Sequence, residues 1–509
     1  EVRSLFRYPG VGIAIATADR QTIKVYGKKQ WDRAEKIDAE TAFPIYSVTK
    51  VFLGVAVARM ADAGLLTFDD KVTKWIPEFS VADQTVVQNA TIRDLLAHSI
   101  GVESADFWLE NVPNVTLDEV IERISQQLQA EPYGEFYYSG IETMLLAKVM
   151  ETASGMPWSD AVAVWVLRPL GLENTYMQAG EFAKPAAIVP TGDGWGKANT
   201  SVGLDALLPQ KNITPPQGAW PEAAEPIVRD KRELGINTIP FSTSPIDPAQ
   251  SAYSSASDMA VLAQMLLSKG MYDGEVFLSS EAFNDMITPV VSFEERPEDG
   301  APKTVRWETG SAGPFVLYDV YGEKCFGHTG GSLGAEADFL ICPEIELGIY
   351  VGITGSLYIG NGGAHILDHI VNHHMGRDSN VVSEAESYLR QSIQIADDAY
   401  KAFESRVADI RSSGEPIADL KDFVGRYESK FAGHLDIIEE QNGKLLATLG
   451  EGAVWEMEPL AGDQFIATWV GPRRAKIIPE FTRSADGTVS SIAITSYQGT
   501  VPVILQKVR

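Results

Sequence analysis

Ser47-Val48-Thr49-Lys50, continuing into Val51-Phe52-Leu53-Gly54-Val55-Ala56-Val57-Ala58, is the stretch on which the reading of this chain turns. From Val48 to about Ala63 the residues are rich in Ala, Val and Leu, a helical pattern that Gly64 stops. A spacing of three puts the Ser47 hydroxyl and the Lys50 amine on one helical face, a turn apart. The helix N-terminus brings partial positive charge to the place where an oxyanion would form. A lysine drawn partly out of water by Phe52 and Leu53 has a lowered pKa and can accept the serine proton. A serine cap beside a solvated lysine has the same four letters, so support must come from elsewhere in the chain.

At 509 residues the chain is too long for one ordinary core, and two or three domains are expected. Its 45% hydrophobic and 22% charged residues are the balance of a globular protein. A net charge of −27 lacks the basic footprint that nucleic acid or anionic lipid requires. No apolar run of about 18 residues appears, so no membrane-spanning helix is expected. The numbering starts at Glu1 without a signal-like run, which reads as a processed or trimmed start. A periplasmic or secreted address is favoured over a cytoplasmic one.

Val11–Ala16 and Thr22–Tyr26 read as a strand hairpin, and residues 91–178 hold helices, notably Ile141–Ala153. Residues 185–250 are rich in Pro, Gly and Asn, and so long a loop in a compact protein suggests a lid. Trp195 and Trp220 within it suit either a substrate pocket or plain loop anchoring. After a helix at Ser257–Ser268, three runs form a meander: Lys324–Thr329, Ala337–Cys342 and Leu347–Ile353. If that hairpin turns near Leu333 and Gly334, Cys325 and Cys342 lie opposite each other. A disulfide and two buried free thiols are then both open readings. Ala364–Met375 reads as a closing helix. Residues 383–412 carry an apolar stripe from Leu389 to Ile410, with Ser383 and Glu386 as a capping-box pair. The stripe fits a connecting helix packed along its own domains, or a seam between copies of the chain. From about Leu420 short strands follow, with Asn442-Gly443 and Asp486-Gly487 as turns, and the expectation is a small antiparallel β-barrel.

Other motifs strengthen the Ser47–Lys50 pair. Glu135-Phe136-Tyr137-Tyr138-Ser139-Gly140 leads into the helix Ile141–Ala153, and Lys324-Cys325-Phe326-Gly327-His328-Thr329-Gly330-Gly331 makes a glycine-flanked strand end. Thr91-Ile92-Arg93-Asp94-Leu95-Leu96-Ala97-His98, Leu167-Arg168-Pro169-Leu170-Gly171-Leu172 and Ser254-Ser255-Ala256-Ser257-Asp258 complete an ordered set. With these, residues from about Pro9 to Met375 resemble the serine β-lactamase and penicillin-recognising family. The likeness is to its class C-like branch, which includes D-aminopeptidases, D-peptidases and family VIII esterases.

The resemblance implies an α/β fold: a β-lactamase/transpeptidase-like antiparallel sheet flanked by helices, with a helical lobe, over residues 1–378. A connecting helix at 379–419 and a lipocalin-like C-terminal β-barrel at 420–509 would follow. Ser47 would be the acylated nucleophile, and Lys50 and Tyr138 would share the proton work, with the base undecided between them. The N–H groups of Ser47 and Gly331 would form the oxyanion hole. His328 stands where β-lactamases and transpeptidases usually carry lysine; it would still donate to Tyr138 or to substrate, with a charge conditional near neutral pH. Thr329, Gly330 and Gly140 would line the substrate site. Gly140 departs from the family, which often has an asparagine there whose amide binds the substrate's amide carbonyl. That departure leaves recognition to other residues.

Two patterns are set aside. Gly330-Gly331-Ser332-Leu333-Gly334 fits a lipase elbow, but it lies in what reads as a strand-to-strand turn. His365, His369 and His373 recur every four residues without a matching acidic or thiol cluster, so a surface stripe beside Ile366 and Ile370 is expected rather than a metal face. No metal and no cofactor is implied. The expected function is a peptidase or amidase acting on short or unusual peptides, those containing D-amino acids or formed by linearising a cycle. An esterase, an acyltransferase and an acyl-binding sensor without turnover are the alternatives. A small peptide or ester is the expected partner, and homo-oligomerisation is left open. A labelled fluorophosphonate should attach to the wild type and to Ser332→Ala but not to Ser47→Ala; the reverse pattern would remove Ser47 from the chemistry.

Overall fold

The computed structural model describes residues 1–509 except 7, 30–33, 105, 111–114, 127–128, 178–244, 296–304, 333, 356–360, 440–442, 451–453, 470–475, 495–502 and 509. The paired segments are β1 (Gly10–Ala16), β2 (Gln21–Gly27), β3 (Ala42–Pro44), β4 (Tyr253–Ser255), β5 (Met271–Tyr272) and β6 (Glu275–Val276). Next come β7 (Val291–Glu295), β8 (Arg306–Ala312), β9 (Phe315–Val320), β10 (Glu323–Ser332), β11 (Ala335–Cys342) and β12 (Leu347–Thr354). An eight-stranded antiparallel sheet runs in the order β2-β1-β12-β11-β10-β9-β8-β7. The expected hairpin β1–β2 forms one edge of the sheet, and the expected meander β10–β12 its centre. The last three strands on the β10 side, β7 to β9, carry mixed polar and apolar residues and had no legible alternation.

Every residue of β11 and β12 is buried, because helices cover both faces of the sheet there. The pleat sorts their side chains. Phe339, Ile341 and Tyr350 face a core shared with the helices Thr49–Asp62 and Ala256–Leu267. Leu340, Leu347, Ile349, Val351 and Ile353 face a second core with Val2, Phe6, Leu367 and Val371. Cys325 and Cys342 form a disulfide across β10 and β11, which settles the choice left open by the sequence.

Helices Ile92–Ala97, Leu117–Arg123, Gly140–Ser154 and Trp158–Val162 make the helical lobe. The helix beyond the sheet runs Val381–Ser412, two residues earlier than expected, with Asn380 at its N-cap. The Ser383–Glu386 capping box is therefore not the start; Glu386 instead takes Arg390 one turn on, at 2.6 Å. This helix packs on the second core through Ala385 and Leu389. At its other end Arg411 meets Glu458 at 2.9 Å. The helix thus touches both the second core and the C-terminal sheet.

Residues 425–507 form a nine-stranded antiparallel sheet whose edge strands are Lys476–Ile477 and Glu480–Arg483. Among the described residues no ladder joins these edges, so the expected barrel is a curled half-barrel. Tyr427, Leu435, Phe465 and Leu505 fill its concave side. Phe423 adds edge-on contacts to Phe465 and Phe481, each at 4.8 Å.

Gly54 explains one oddity of the opening stretch, a glycine inside an apolar helix. A Cβ there would stand 2.2 Å from Cγ of Pro314, so the helix seats against that ring only without a side chain. Gly54→Val should cost about 1–3 kcal/mol through overpacking, read as an earlier thermal transition.

Candidate active site

Ser47 lies in a single 3-10 turn, Tyr46–Val48, that leads directly into helix Thr49–Asp62. Two ties fix the turn: Ile45 N–H donates to the Ala252 carbonyl at 2.9 Å, and Ala252 N–H donates to Thr49 Oγ1 at 3.1 Å. Tyr46, directly before the serine, adopts φ 44°, a left-handed conformation that a tyrosine holds only when its surroundings impose it. Lys50 Nζ stands 3.2 Å from Ser47 Oγ and donates to the Ala249 carbonyl at 2.9 Å. Only 5% of Lys50 is exposed, and burial pushes its amine down to about 7 against the opposing charge of Asp106. A neutral amine keeps the bond to Ala249 and turns its lone pair to the serine proton.

Tyr138 forms the second wall. Lys50 Nζ lies 4.8 Å from its ring centroid, which sets the phenol beside the serine–lysine pair. Protein packed around the ring raises its pKa above the ordinary phenol value although the residue is 37% exposed, so it carries its proton at neutral pH. Behind it, the His98 ring packs at 4.5 Å. His98 caps helix Ile92–Ala97 in the left-handed conformation, and its carbonyl accepts from Tyr137 N–H at 2.9 Å. Glu142 is fully buried, with Oε2 2.9 Å from His98 Nδ1 and Oε1 accepting from Ile100 N–H at 3.1 Å. Burial raises the carboxyl and lowers the imidazole, and both shifts favour the neutral pair, in which a carboxyl proton faces Nδ1.

The third wall is the far half of β10. Pairing with β9 ends at Gly327, while pairing with β11 continues to Ser332, which leaves His328 to Ser332 with one strand edge beyond β9. Gly330 passes so close to the serine turn that a Cβ would lie 2.1 Å from the Ile45 carbonyl and 2.9 Å from Ser47 N. Gly331 is next along this edge, and Thr329 is exposed. His328 lies 6.0 Å from the Tyr138 ring, centroid to centroid. Its Nδ1 stands 2.6 Å from the Thr329 carbonyl, a contact that needs a proton on Nδ1 and leaves Nε2 as an acceptor. Burial and the Lys50 charge push His328 down to about 3. Its expected conditional charge near neutral pH is therefore corrected to a neutral imidazole.

Gly140 begins helix Gly140–Ser154, and its N–H donates to Asp106 Oδ1 at 2.9 Å. A Cβ on Gly140 would meet Oδ1 at 2.5 Å. The structure thus brings Ser47, Lys50, Tyr138, His328, Gly330 and Gly140 together, while Trp195 and Trp220 fall outside the described residues. Ser332 ends β10 in a strand-to-strand hairpin, where no lipase elbow forms. No group of three metal-ligating side chains occurs among the described residues. The expected surface histidine stripe needs one correction: His365 is buried against the Tyr388 ring, because helix Val381–Ser412 packs over its turn.

Sequence reading missed Glu142, Asp106 and the Ala249 carbonyl, and it gave His98 no role. Glu142 had a signal, a lone acid among Ile141, Met144, Leu145 and Leu146. Asp106 and Ala249 had none, since only chain folding places them.

Residues 2–359 match the family profile described as Beta-lactamase. Protein flp of Staphylococcus aureus is 29% identical over 186 residues, 35% of this chain and 37% of that protein. The chain thus spans little more than a third of the length of such curated relatives. The octameric penicillin-binding protein homologue of Pyrococcus abyssi shares 20% identity at a TM-score of 0.58, covering 99% of this chain and 97% of that one. The D-amino acid amidase of Ochrobactrum anthropi shares 15% identity at a TM-score of 0.53, covering 74% and 97%. At these identities the two structures speak for the fold alone.

The neutral Glu142–His98 pair predicts opposite outcomes for two substitutions. Glu142→Gln should keep thermal stability close to wild type, since the amide is also neutral and reaches both partners. Glu142→Ala should lose about 2–4 kcal/mol by opening a cavity and stranding the Ile100 N–H. A greater loss for Gln than for Ala in thermal melts would show the pair to be ionised.

Proposed function

The chain belongs to the β-lactamase family, and we propose that it is a serine hydrolase working through an acyl-enzyme on Ser47, most of all as a peptidase or amidase. One observation carries this reading: the Lys50 amine, buried and lowered to about 7, stands 3.2 Å from the Ser47 hydroxyl. Lys50 accepts the serine proton as Ser47 Oγ attacks the acyl carbon. Tyr138, protonated at neutral pH, gives its proton to the leaving amine and is reprotonated from the Lys50 ammonium, so the serine proton ends on the leaving group. The N–H groups of Ser47 and Gly331 hold the oxyanion, each worth a few kcal/mol. Water then releases the acyl group by the same route in reverse. His328, being neutral, orients neighbours through its acceptor nitrogen and adds no charge.

The stretch of β10 from His328 to Gly331, which β9 does not pair, supports a peptide-like substrate, since an extended chain pairs with such an edge through its backbone. The fold likeness to a D-amino acid amidase is consistent with amide cleavage, and substrates containing D-residues or linearised cyclic peptides come first. Ester hydrolysis and acyl transfer need the same acyl-enzyme and form the second reading. A disulfide between Cys325 and Cys342 supports an oxidising, periplasmic or secreted address. No described helix is long and apolar enough to cross a membrane.

Because the free amine of Lys50 is the base, kcat/KM for p-nitrophenyl acetate should rise about tenfold per pH unit below about 7 and level off above it. Ser47→Ala and Lys50→Ala should each lose about 10⁴-fold or more. Release of p-nitrophenol across a pH series checks both, and a profile flat through 7 would remove Lys50 as the base.

A further inference from the structure

The carboxylate of Asp106 stands where the family often carries an asparagine amide. Gly140 has no side chain, and the space beside it is filled from another part of the chain. Asp106 Oδ1 and Oδ2 lie 2.5 and 3.0 Å from the point a Gly140 Cβ would occupy. Burial raises the Asp106 carboxyl, and the Lys50 ammonium lowers it again, so each group feels the other's charge. The exchange reverses the chemistry of the position. An amide offers N–H donors to a substrate carbonyl, whereas a carboxylate only accepts and repels carbonyl oxygens and anions.

We propose that Asp106 selects substrates bearing a protonated amine beside the scissile carbonyl, namely amino-acid amides, amino-acid esters and peptides with a free N-terminus. The proposal rests on the acyl-enzyme reading of Ser47 and deepens it. A substrate ammonium replaces the missing side chain of residue 140: its N–H donors fit the Asp106 oxygens, and its charge offsets a carboxylate otherwise costly to enclose. A substrate with an acylated amine brings an oxygen toward that carboxylate and is turned away. The chain's net charge of −27 draws cations toward the site as well.

Asp106 also has a plain structural contact, the Gly140 N–H at the start of helix Gly140–Ser154. A solely structural role would lower stability or all turnover together, whereas a selecting role changes the ratio between substrates. The test compares D- and L-alanine ethyl esters with their N-acetyl counterparts, beside p-nitrophenyl acetate, for wild type, Asp106→Asn and Asp106→Ala/Gly140→Asn. Wild type should favour the free-amine ester of at least one enantiomer by about 100-fold in kcat/KM, fading as pH rises past about 8 and the substrate amine deprotonates. Asp106→Asn should cut that ratio by about 10- to 100-fold, the worth of a charged hydrogen bond. The double variant, which restores an amide donor, should favour the N-acetyl ester. Equal losses on both esters in Asp106→Asn would overturn the proposal. So would a wild type that prefers the acetylated ester, or one that cleaves p-nitrophenyl acetate but no alanine ester. Absence of Ser47-dependent turnover of p-nitrophenyl acetate would instead overturn the acyl-enzyme reading itself.

Discussion

A single buried amine organises this molecule's chemistry. Enclosing Lys50 disfavours its ammonium form by about 5 kcal/mol relative to water, which is the meaning of an amine brought down to about 7. The enclosure comes from the opening helix, whose residues from Thr49 to Ala58 are all buried. The Ala249 carbonyl fixes where the amine points. An apolar helix core therefore sets both the proton affinity of the Lys50 amine and its aim at Ser47. That helix holds its place only because Gly54 lets it meet Pro314 and because the serine turn is tied to Ala252.

Around the amine, neutrality recurs. Tyr138 keeps its proton, His328 and His98 lack a second one, and Glu142 is a neutral acid. The cause is common to all of them: each charge would be taken from water, and the cations would also repel Lys50. Asp106 is the opposing element, since its negative charge favours the Lys50 ammonium. A cleft of neutral donors and acceptors with one carboxylate at its side has a definite polarity, positive guests being favoured over negative ones. Packing supplies the precision, with Gly330 lying against the serine turn and His98 against the Tyr138 ring.

Much of the fold was legible because its signals are local. Alternating apolar residues marked β1, β2 and the β10–β12 meander, and Gly64 and Gly414 marked helix ends. Where competition between local contacts decided the outcome, reading failed: Glu386 pairs with Arg390 rather than closing a capping box, so the long helix starts at Val381. The strands β7 to β9 escaped because their mixed polar and apolar residues give neither a continuous apolar run nor a clean alternation. The C-terminal strands were readable, but closure into a barrel was not, since closure depends on how far a sheet curls and not on any one strand.

The sequence by itself determined the four candidate groups, Ser47, Lys50, Tyr138 and His328, because motif spacing and helix periodicity are properties of neighbouring residues. It also determined that Gly140 lacks the usual amide. Only the tertiary structure decided protonation, because a pKa depends on what surrounds a group in space: His328 is neutral, and Glu142 pairs with His98 as an acid. Only the tertiary structure, too, put Asp106 into the gap left by Gly140, since 34 positions of chain separate the two and no pattern along it links them.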